Sequence, residues 1–295
     1  MQHLENGTFQ DRTVIAADGI QLFLRDYQAS GDTALASLPP IVCLPGLTRN
    51  HRDFTPLAQR LAAGGRRVIC IDSRGRGGSG RDSNPKNYNL LTEMADVVAV
   101  LDELAIAQAD FIGTSRGGLL LHFLAVMHSS RIRRVILNDV GPVLEKEGLI
   151  AIRDYLGSGG GPKTWSDCPA YLKSVHGSTF PVLEQQDWED MAQALYRDEN
   201  GIPVADYDPA IAAQISSIDF SKPIPDLWVQ YEALAPFPLL IIRGEHSQLL
   251  SKQASEAMVA RHPSASLVIA KGQGHAPLLH LMPLADEIER FLSGR

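Results

Sequence analysis

The sequence predicts an α/β fold built on a mostly parallel sheet, and two patterns support this prediction. Short, continuous apolar runs alternate with longer segments of helical period, which is typical of parallel strands covered by helices on both faces. An Asp18-Gly19 pair between strand-like runs at 12–17 and 20–27 predicts an antiparallel hairpin leading into that sheet. With 44% hydrophobic and 21% charged residues, the composition is that of a folded protein.

The individual elements follow from the same patterns. Six apolar runs after the hairpin are the further predicted strands, at residues 41–44, 67–71, 109–112, 134–137, 239–242 and 267–270. Five segments of helical period are the predicted helices, at residues 53–63, 91–104, 117–128, 252–261 and 281–292. The sequence therefore predicts a doubly wound core with a mixed sheet.

One long segment interrupts this alternation. Residues 141–235 lie between the strands predicted at 134–137 and 239–242, and an Asn200-Gly201 pair within them predicts a small hairpin. The segment is too long for a plain loop, so we interpret it as a mostly helical cap (lid) inserted into a core formed by residues 1–140 and 236–295. Its three tryptophans and four of its tyrosines either line an apolar pocket or form the core of the cap itself: Trp165, Trp188, Trp228, Tyr171, Tyr196, Tyr207 and Tyr231.

Charge and cysteine content restrict the partners. A net charge of −7 and the absence of a basic run argue against nucleic acid and against an anionic membrane surface. Residues 1–12 lack the apolar run of a signal peptide, so we expect a cytoplasmic protein that acts on a small molecule, while the oligomeric state stays open. Three cysteines without CxxC spacing, and a Gly- and Arg-rich turn at 72–79 without a P-loop ending, predict neither a metal nor a cofactor.

The most informative motif is Gly113-Thr114-Ser115-Arg116-Gly117, which follows a predicted strand and precedes a predicted helix. G-x-S-x-G in this context is a nucleophile elbow, a turn so sharp that the serine is strained and its neighbours must be glycine. The turn raises the hydroxyl above the sheet at the N-terminus of a helix, where developing negative charge is favoured. We predict that Ser115 is a nucleophile.

A serine nucleophile needs a base within hydrogen-bonding distance, and His275 is the predicted one. It follows the last predicted strand, in Gly272-Gln273-Gly274-His275, at the edge of the sheet where active sites of open α/β proteins form. His246, after the preceding strand, is the rival, but the chain order Ser…acid…His requires the base last. We interpret His3, His176 and His262 as surface residues.

Four motifs in order resemble the α/β-hydrolase superfamily, and most closely its capped esterases. They are residues 42–47 (VCLPGL), residues 71–79 (IDSRGRGGS), the elbow and Gly274-His275. The resemblance implies an eight-stranded sheet, a cap inserted after the sixth strand, and hydrolysis through an acyl-enzyme. It also implies an oxyanion hole formed by the backbone N–H groups of Leu47 and Arg116, although Pro45 stands where such proteins commonly have histidine.

The acid of the triad is less clear from the sequence. Similar enzymes carry it after the seventh strand in a Gly-x-x-Ser-Asp stretch, but here Gln248 occupies that position, and an amide cannot offset the charge of an imidazolium. One interpretation moves the acid to Asp139, directly after the sixth strand, as in certain haloalkane dehalogenases. Alternatively, Glu245 takes the role, or there is no true acid. We select Asp139, whose competing interpretation is a turn residue that caps backbone N–H groups.

Together, these observations predict a serine hydrolase that cleaves a carboxylic ester, lactone or thioester of a small to medium, partly apolar substrate. A C–C bond hydrolase and a cofactor-free haloperoxidase use the same apparatus within the superfamily. A ligand-binding protein on a hydrolase scaffold is the alternative outside enzymes, and Gln248 makes it conceivable. The side chain of Arg116 is expected to pair with a carboxylate as a structural element rather than to bind an anionic substrate group.

Overall fold

The computed structural model of the chain describes residues 8–31, 34–157 and 160–294. In this part of the chain the strands are β1 (Phe9–Ile15), β2 (Gln21–Tyr27), β3 (Ile41–Leu44), β4 (Val68–Ile71), β5 (Ala109–Thr114), β6 (Ile132–Asn138), β7 (Tyr196–Glu199), β8 (Ile202–Ala205), β9 (Leu239–Gly244) and β10 (Ala265–Ala270). The α-helices are α1 (Thr55–Ala63), α2 (Leu90–Glu103), α3 (Arg116–Met127), α4 (Lys146–Gly157), α5 (Cys168–His176), α6 (Gln185–Leu195), α7 (Ala212–Ser216), α8 (Trp228–Glu232), α9 (Lys252–Arg261) and α10 (Leu284–Ser293).

Eight of the strands form one sheet in the order β1-β2-β4-β3-β5-β6-β9-β10, which confirms the predicted fold class. The hairpin β1–β2 is antiparallel and β2 runs antiparallel to β4, whereas every pair from β4 to β10 is parallel. Because the parallel strands point the same way, the loops that follow β3, β5, β6, β9 and β10 meet at one edge of the sheet. Every residue of β3, β4 and β5 is buried, as their unbroken apolar runs predicted.

Several elements begin elsewhere than predicted. β1 starts at Phe9 rather than residue 12, because the hairpin pairing extends to Phe9 opposite Tyr27. The helix predicted at 53–63 begins at Thr55, after a short 3-10 turn over His51–Phe54. The helix predicted at 281–292 begins at Leu284, because Met282 precedes Pro283 and the residue before a proline disfavours the helical conformation.

The segment between β6 and β9 contains α4 to α8 and the separate hairpin β7–β8. The two residues of the hairpin turn, Asn200 and Gly201, have φ values of 57° and 84°, the left-handed conformation that such a turn needs. The segment has an apolar cluster of its own, whose buried members are Cys168, Leu172, Phe180, Leu183, Trp188, Met191, Ala192, Leu195 and Tyr196. Buried apolar surface of this extent makes it a packed unit rather than a loop.

The inserted segment is attached to the loop after β4 by backbone hydrogen bonds. The N–H of Gly77 donates to Asp206 O over 3.0 Å, and the N–H of Asp208 donates to Gly75 O over 2.7 Å. The Arg52 guanidinium adds a 2.7 Å ion pair with Asp206. Within the described residues, no helix combines the length and the apolar character needed to cross a membrane.

Candidate active site

The nucleophile elbow lies between β5 and α3 at the carboxyl edge of the sheet. Ser115 has a φ of 50° and a ψ of −115°, a conformation that costs an L-residue strain energy. The two motif glycines permit the turn: a methyl group on Gly113 would lie 2.6 Å from Gly118 N, and one on Gly117 would overlap the carbonyl oxygen of Leu44. The Ser115 N–H donates to Asn138 O at the end of β6 over 3.0 Å, which fixes the elbow to the neighbouring strand.

A chain of hydrogen bonds joins the serine to an imidazole and a carboxylate. His275 Nε2 lies 2.9 Å from Ser115 Oγ, and His275 Nδ1 lies 2.8 Å from Asp139 Oδ2. The three residues come from the loops after β5, β10 and β6, which the parallel sheet brings to one edge. The Asp139 side chain is fully buried and that of His275 is 18% exposed, so the imidazole faces a cavity while the carboxylate is shielded from water. We call these three residues the triad.

Two hydrogen bonds hold the Asp139 carboxylate in addition to its bond with His275. Its Oδ1 accepts a hydrogen bond from the Gly244 N–H over 2.7 Å, and its Oδ2 accepts one from Ser247 Oγ over 2.6 Å in addition to the imidazole. The carboxylate thus caps a backbone N–H, as the alternative interpretation held, and bonds the imidazole as well. Ser247 is not among the site residues that the sequence predicts, although it belongs to the Gly-x-x-Ser stretch that follows β9.

The other candidates lie away from the imidazole. Glu245 accepts hydrogen bonds from the Gly272 N–H over 2.8 Å and from Lys271 Nζ over 2.9 Å, and the pKa of its carboxyl is lowered by these two bonds. The side chains of Gln248 and of the rival base His246 are exposed. The structure therefore brings Asp139, and neither Glu245 nor Gln248, to His275.

The two residues proposed for the oxyanion hole lie beside the serine. Among the described residues, neither the Leu47 N–H nor the Arg116 N–H donates to a protein acceptor. The Arg116 N–H is also the first of α3, where the helix dipole favours negative charge.

A network of buried hydrogen bonds involves both Leu47 and Arg116. Arg116 donates to both carboxylate oxygens of Glu93 over 2.7 and 3.0 Å, and Arg76 donates to Glu93 over 2.9 Å and to Leu47 O over 2.7 Å. Burial alone would raise the pKa of the Glu93 carboxyl, but the charges of Arg76 and Arg116 outweigh it and lower that pKa. The Arg116 side chain therefore has the structural contact expected from the sequence. We call Arg76, Glu93 and Arg116 the buried network.

A cavity of about 160 Å³ opens in front of Ser115. The loop after β3 contributes Leu47, Arg49 and Asp53 to its wall. The inserted segment contributes seven residues, which are Ile152, Tyr155, Leu156, His176, Phe180, Met191 and Leu195. Within the described residues, the tryptophans are absent from this wall: Trp188 lies in the core of the inserted segment, with Trp165 packed against it, while Trp228 packs against the main core. Tyr155 lines the cavity instead.

The interpretation of two histidines as surface residues is wrong. His176 lines the cavity, where burial and the nearby charge of Arg49 lower the pKa of its imidazole to about 4, so it is neutral at pH 7. His262 is 6% exposed and its Nε2 lies 3.0 Å from Leu234 O. Both lie at positions where tertiary packing, which local sequence does not reveal, covers the ring. His3 lies outside the described residues.

A serine hydroxyl, an imidazole and a buried carboxylate joined in this order at a strand–turn–helix elbow are the arrangement of the serine hydrolases of α/β folds. The sequence model of the alpha/beta hydrolase fold family matches residues 39–280, so the chain belongs to that family.

Individual relatives are consistent with this assignment. A 3-hydroxybutyrate-oligomer hydrolase of Cupriavidus necator is 34% identical over 263 residues, which are 85% of this chain and 86% of that protein. Esterase YbfF of Escherichia coli is 27% identical over 80% of this chain and 85% of its own length. A crystal structure of an α/β hydrolase from Novosphingobium aromaticivorans superposes with a TM-score of 0.88 and 38% identity, covering 97% of this chain and 98% of the other. The chain is thus a hydrolase-family protein whose relatives include enzymes that act on esters.

Proposed function

We propose that the protein is a serine hydrolase that cleaves carboxylic esters through an acyl-enzyme. The observation that carries the proposal is the continuous hydrogen-bonded path from Ser115 Oγ through His275 to Asp139, with both distances below 3 Å. Such a path supplies what a serine needs to attack a carbonyl at neutral pH, namely a base in contact and a carboxylate to stabilise the resulting imidazolium. The similarity to a 3-hydroxybutyrate-oligomer hydrolase and to an esterase supports the ester as the bond cleaved.

The steps follow from the positions of the atoms. Ser115 Oγ attacks the ester carbonyl while His275 Nε2 accepts the hydroxyl proton. The N–H groups of Leu47 and Arg116 then hold the oxyanion, where each such donor contributes about 3–4 kcal/mol to transition-state binding. His275 returns the proton to the departing alcohol oxygen, and a water molecule activated by the same imidazole hydrolyses the acyl-enzyme.

We further propose that residues 141–235 act as a cap over this site. The seven wall residues that the segment contributes surround the space where a substrate would meet Ser115, and five of them are apolar: Ile152, Leu156, Phe180, Met191 and Leu195. A wall of this composition fits a partly apolar small molecule. Ester-linked oligomers of 3-hydroxybutyrate, named by the relative, are therefore the first substrates to test.

Turnover of 4-nitrophenyl acetate, 4-nitrophenyl butyrate and the dimer of 3-hydroxybutyrate tests the proposal. The wild-type protein is expected to hydrolyse them, and Ser115→Ala is expected to lower kcat by a factor of about 10⁴ or more. A fluorophosphonate should add its mass to Ser115 in the wild type and not in the variant, as read by peptide mass spectrometry. Absence of turnover and of labelling, together with tight binding of a small ester, would favour the ligand-binding alternative.

A further inference from the structure

Arg49 occupies an unusual place beside the proposed nucleophile. It lies two residues beyond Leu47, and its N–H donates to Gly46 O over 3.2 Å, which turns the loop toward the cavity. The position where a methyl group on Gly46 would lie is 3.4 Å from Arg49 Cγ and 3.7 Å from Ser115 Cβ. The stem of the arginine and the serine therefore flank the same small space.

Of the five N–H donors of the Arg49 guanidinium, only the one on Nε has an acceptor among the described residues. Nε donates to Asp53 Oδ2 over 2.6 Å, but among the described residues neither Nη atom has an acceptor. The side chain is 23% exposed and lines the cavity, so this free edge is accessible from the space in front of Ser115. We call Arg49 and Asp53 the pocket ion pair.

Arg52, one turn further along, shows what a purely structural arginine does in the same loop. Its guanidinium donates to the carbonyl oxygens of Gln193, Ala194 and Tyr196 and to the carboxylate of Asp206. All of these acceptors belong to the inserted segment, and they use both the Nε and the Nη2 atoms. Arg52 therefore joins two parts of the chain, whereas the Arg49 side chain lines the cavity and, within the described ranges, has a hydrogen bond to Asp53 alone.

The surroundings favour an anion at the free edge of Arg49. Among the described residues of the cavity wall, it is the one side chain with a permanent positive charge. His176 is neutral at pH 7, because burial and the Arg49 charge lower its pKa to about 4, so it can share a hydrogen bond without competing as a cation. In a cavity with largely apolar walls, a charge-assisted hydrogen bond is stronger than in water, and the planar guanidinium edge matches a carboxylate.

We infer that Arg49, oriented by Asp53, binds a free carboxylate of the substrate, so that the preferred substrates are esters which also carry an acid group. This inference rests on the proposed ester hydrolysis and narrows it to a chemical class. Short oligomers of hydroxy acids have this chemistry, since each has ester bonds and one terminal carboxylate. Asp53 acts as a positioning residue that holds the Nε edge and leaves the Nη edge to the ligand.

The test compares two substrates that differ in one charge. They are the dimer of 3-hydroxybutyrate with its free carboxylate and the N-methylamide of the same dimer, each assayed by release of 3-hydroxybutyrate. The wild type is expected to prefer the acid. Arg49→Met should lower kcat/KM for the acid about 10- to 100-fold, chiefly through KM, and change that for the amide less than about threefold. Arg49→Lys keeps the charge but loses the planar guanidinium, so its kcat/KM for the acid should lie between the values of the wild type and of Arg49→Met.

Two controls separate charge from stability. Arg153→Met removes an exposed arginine of α4, next to the wall residue Ile152, and should leave both substrates unaffected. Arg49→Met/Asp53→Asn removes the pocket ion pair without leaving a lone carboxylate, and should show the same loss for the acid. Calorimetry with Ser115→Ala supplies a readout independent of turnover, in which the acid should bind at least about 10-fold more tightly than the amide.

The outcomes distinguish the two proposals. If the wild type hydrolyses neither dimer nor the nitrophenyl esters, the proposed function fails. If it hydrolyses the amide as efficiently as the acid, or if Arg49→Met lowers both equally in a folded protein, ester hydrolysis stands and the role of Arg49 is overturned. Equal binding of acid and amide to Ser115→Ala overturns that role even if the Arg49 variants do not fold.

Discussion

The triad and the pocket ion pair both contribute side chains to the wall of one cavity, and they differ in how many of their polar atoms have hydrogen-bond partners. Asp139 accepts three hydrogen bonds, and both nitrogens of His275 are within hydrogen-bonding distance of a triad oxygen. In the pocket ion pair, by contrast, Asp53 Oδ1 is buried without a partner and the Nη atoms of Arg49 have no acceptor among the described residues. A closed set of bonds fixes geometry, whereas an open set has capacity for a ligand.

This contrast assigns different kinetic effects to the two regions. Changes in the triad should lower kcat for every substrate, because they alter the reacting atoms. Changes in the pocket ion pair should alter KM for one class of substrate, because they alter recognition. The side chains of the buried network bond one another and, among the described residues, are not part of the cavity wall, so changes to these side chains should appear in folding stability.

The largest effect is expected from Asp139→Asn. The amide would retain the shape of the acid but could not stabilise an imidazolium, so kcat should fall by a factor of about 10⁴ with little change in KM. Steady-state kinetics on 4-nitrophenyl butyrate measures this. Glu245→Gln and Gln248→Asp are the matched controls, each expected to change kcat by less than about threefold, since neither side chain reaches the imidazole. An unchanged rate in Asp139→Asn, combined with a large gain in Gln248→Asp, would contradict the assignment.

Arg116→Met should affect stability rather than selectivity. It removes two hydrogen bonds to the buried Glu93, which keeps Arg76 as its partner, so the free energy of unfolding should fall by about 2 kcal/mol. Urea denaturation followed by circular dichroism measures the change. The ratio of kcat/KM for the acid and amide dimers should stay at the wild-type value. A lost preference for the acid would mean that the charge of Arg116, not that of Arg49, selects the substrate.

The smallest effect is expected from Ser247→Ala, which removes one of the three donors to the Asp139 carboxylate. Weaker positioning of this carboxylate should lower kcat about 10-fold while KM is retained. Ser247→Thr, which keeps the hydroxyl, should restore most of the rate. Ser255→Ala, a buried serine whose hydroxyl bonds Lys252 O, is the control for loss of a hydroxyl elsewhere. Equal losses in the two alanine variants would indicate a general effect on folding.

The sequence was sufficient to predict the fold and the location of the triad. Strand–turn–helix context identified the elbow, and the parallel sheet then required the residues after β6, β9 and β10 to meet near it. Asp139 directly follows a predicted strand of this edge, and in the structure its Oδ2 lies 2.8 Å from His275 Nδ1.

The sequence does not reveal in which direction a side chain points or which partner each of its polar atoms has. Glu245 and Asp139 both follow strands at the same edge, and only the fold turns the first toward Lys271 and the second toward His275. His176 has polar neighbours in the sequence, which suggest an exposed residue. In the structure it lines the cavity, because α5 packs beside the site. No local signal marks Arg49, because its proposed role rests on Nη atoms that have no acceptor in the described part of the chain rather than on a motif.

The close contact between α3 and β3 limits which positions tolerate redesign. Because the Leu44 carbonyl already occupies the place of a side chain at residue 117, any larger residue there would push a central strand aside. Ile152, Leu156 and Met191, by contrast, have side chains that line the cavity. A library built to change the substrate of the protein would therefore randomise wall positions of the inserted segment and keep the glycines of the elbow. Substrate preference could then vary among its members while the geometry of the triad is retained.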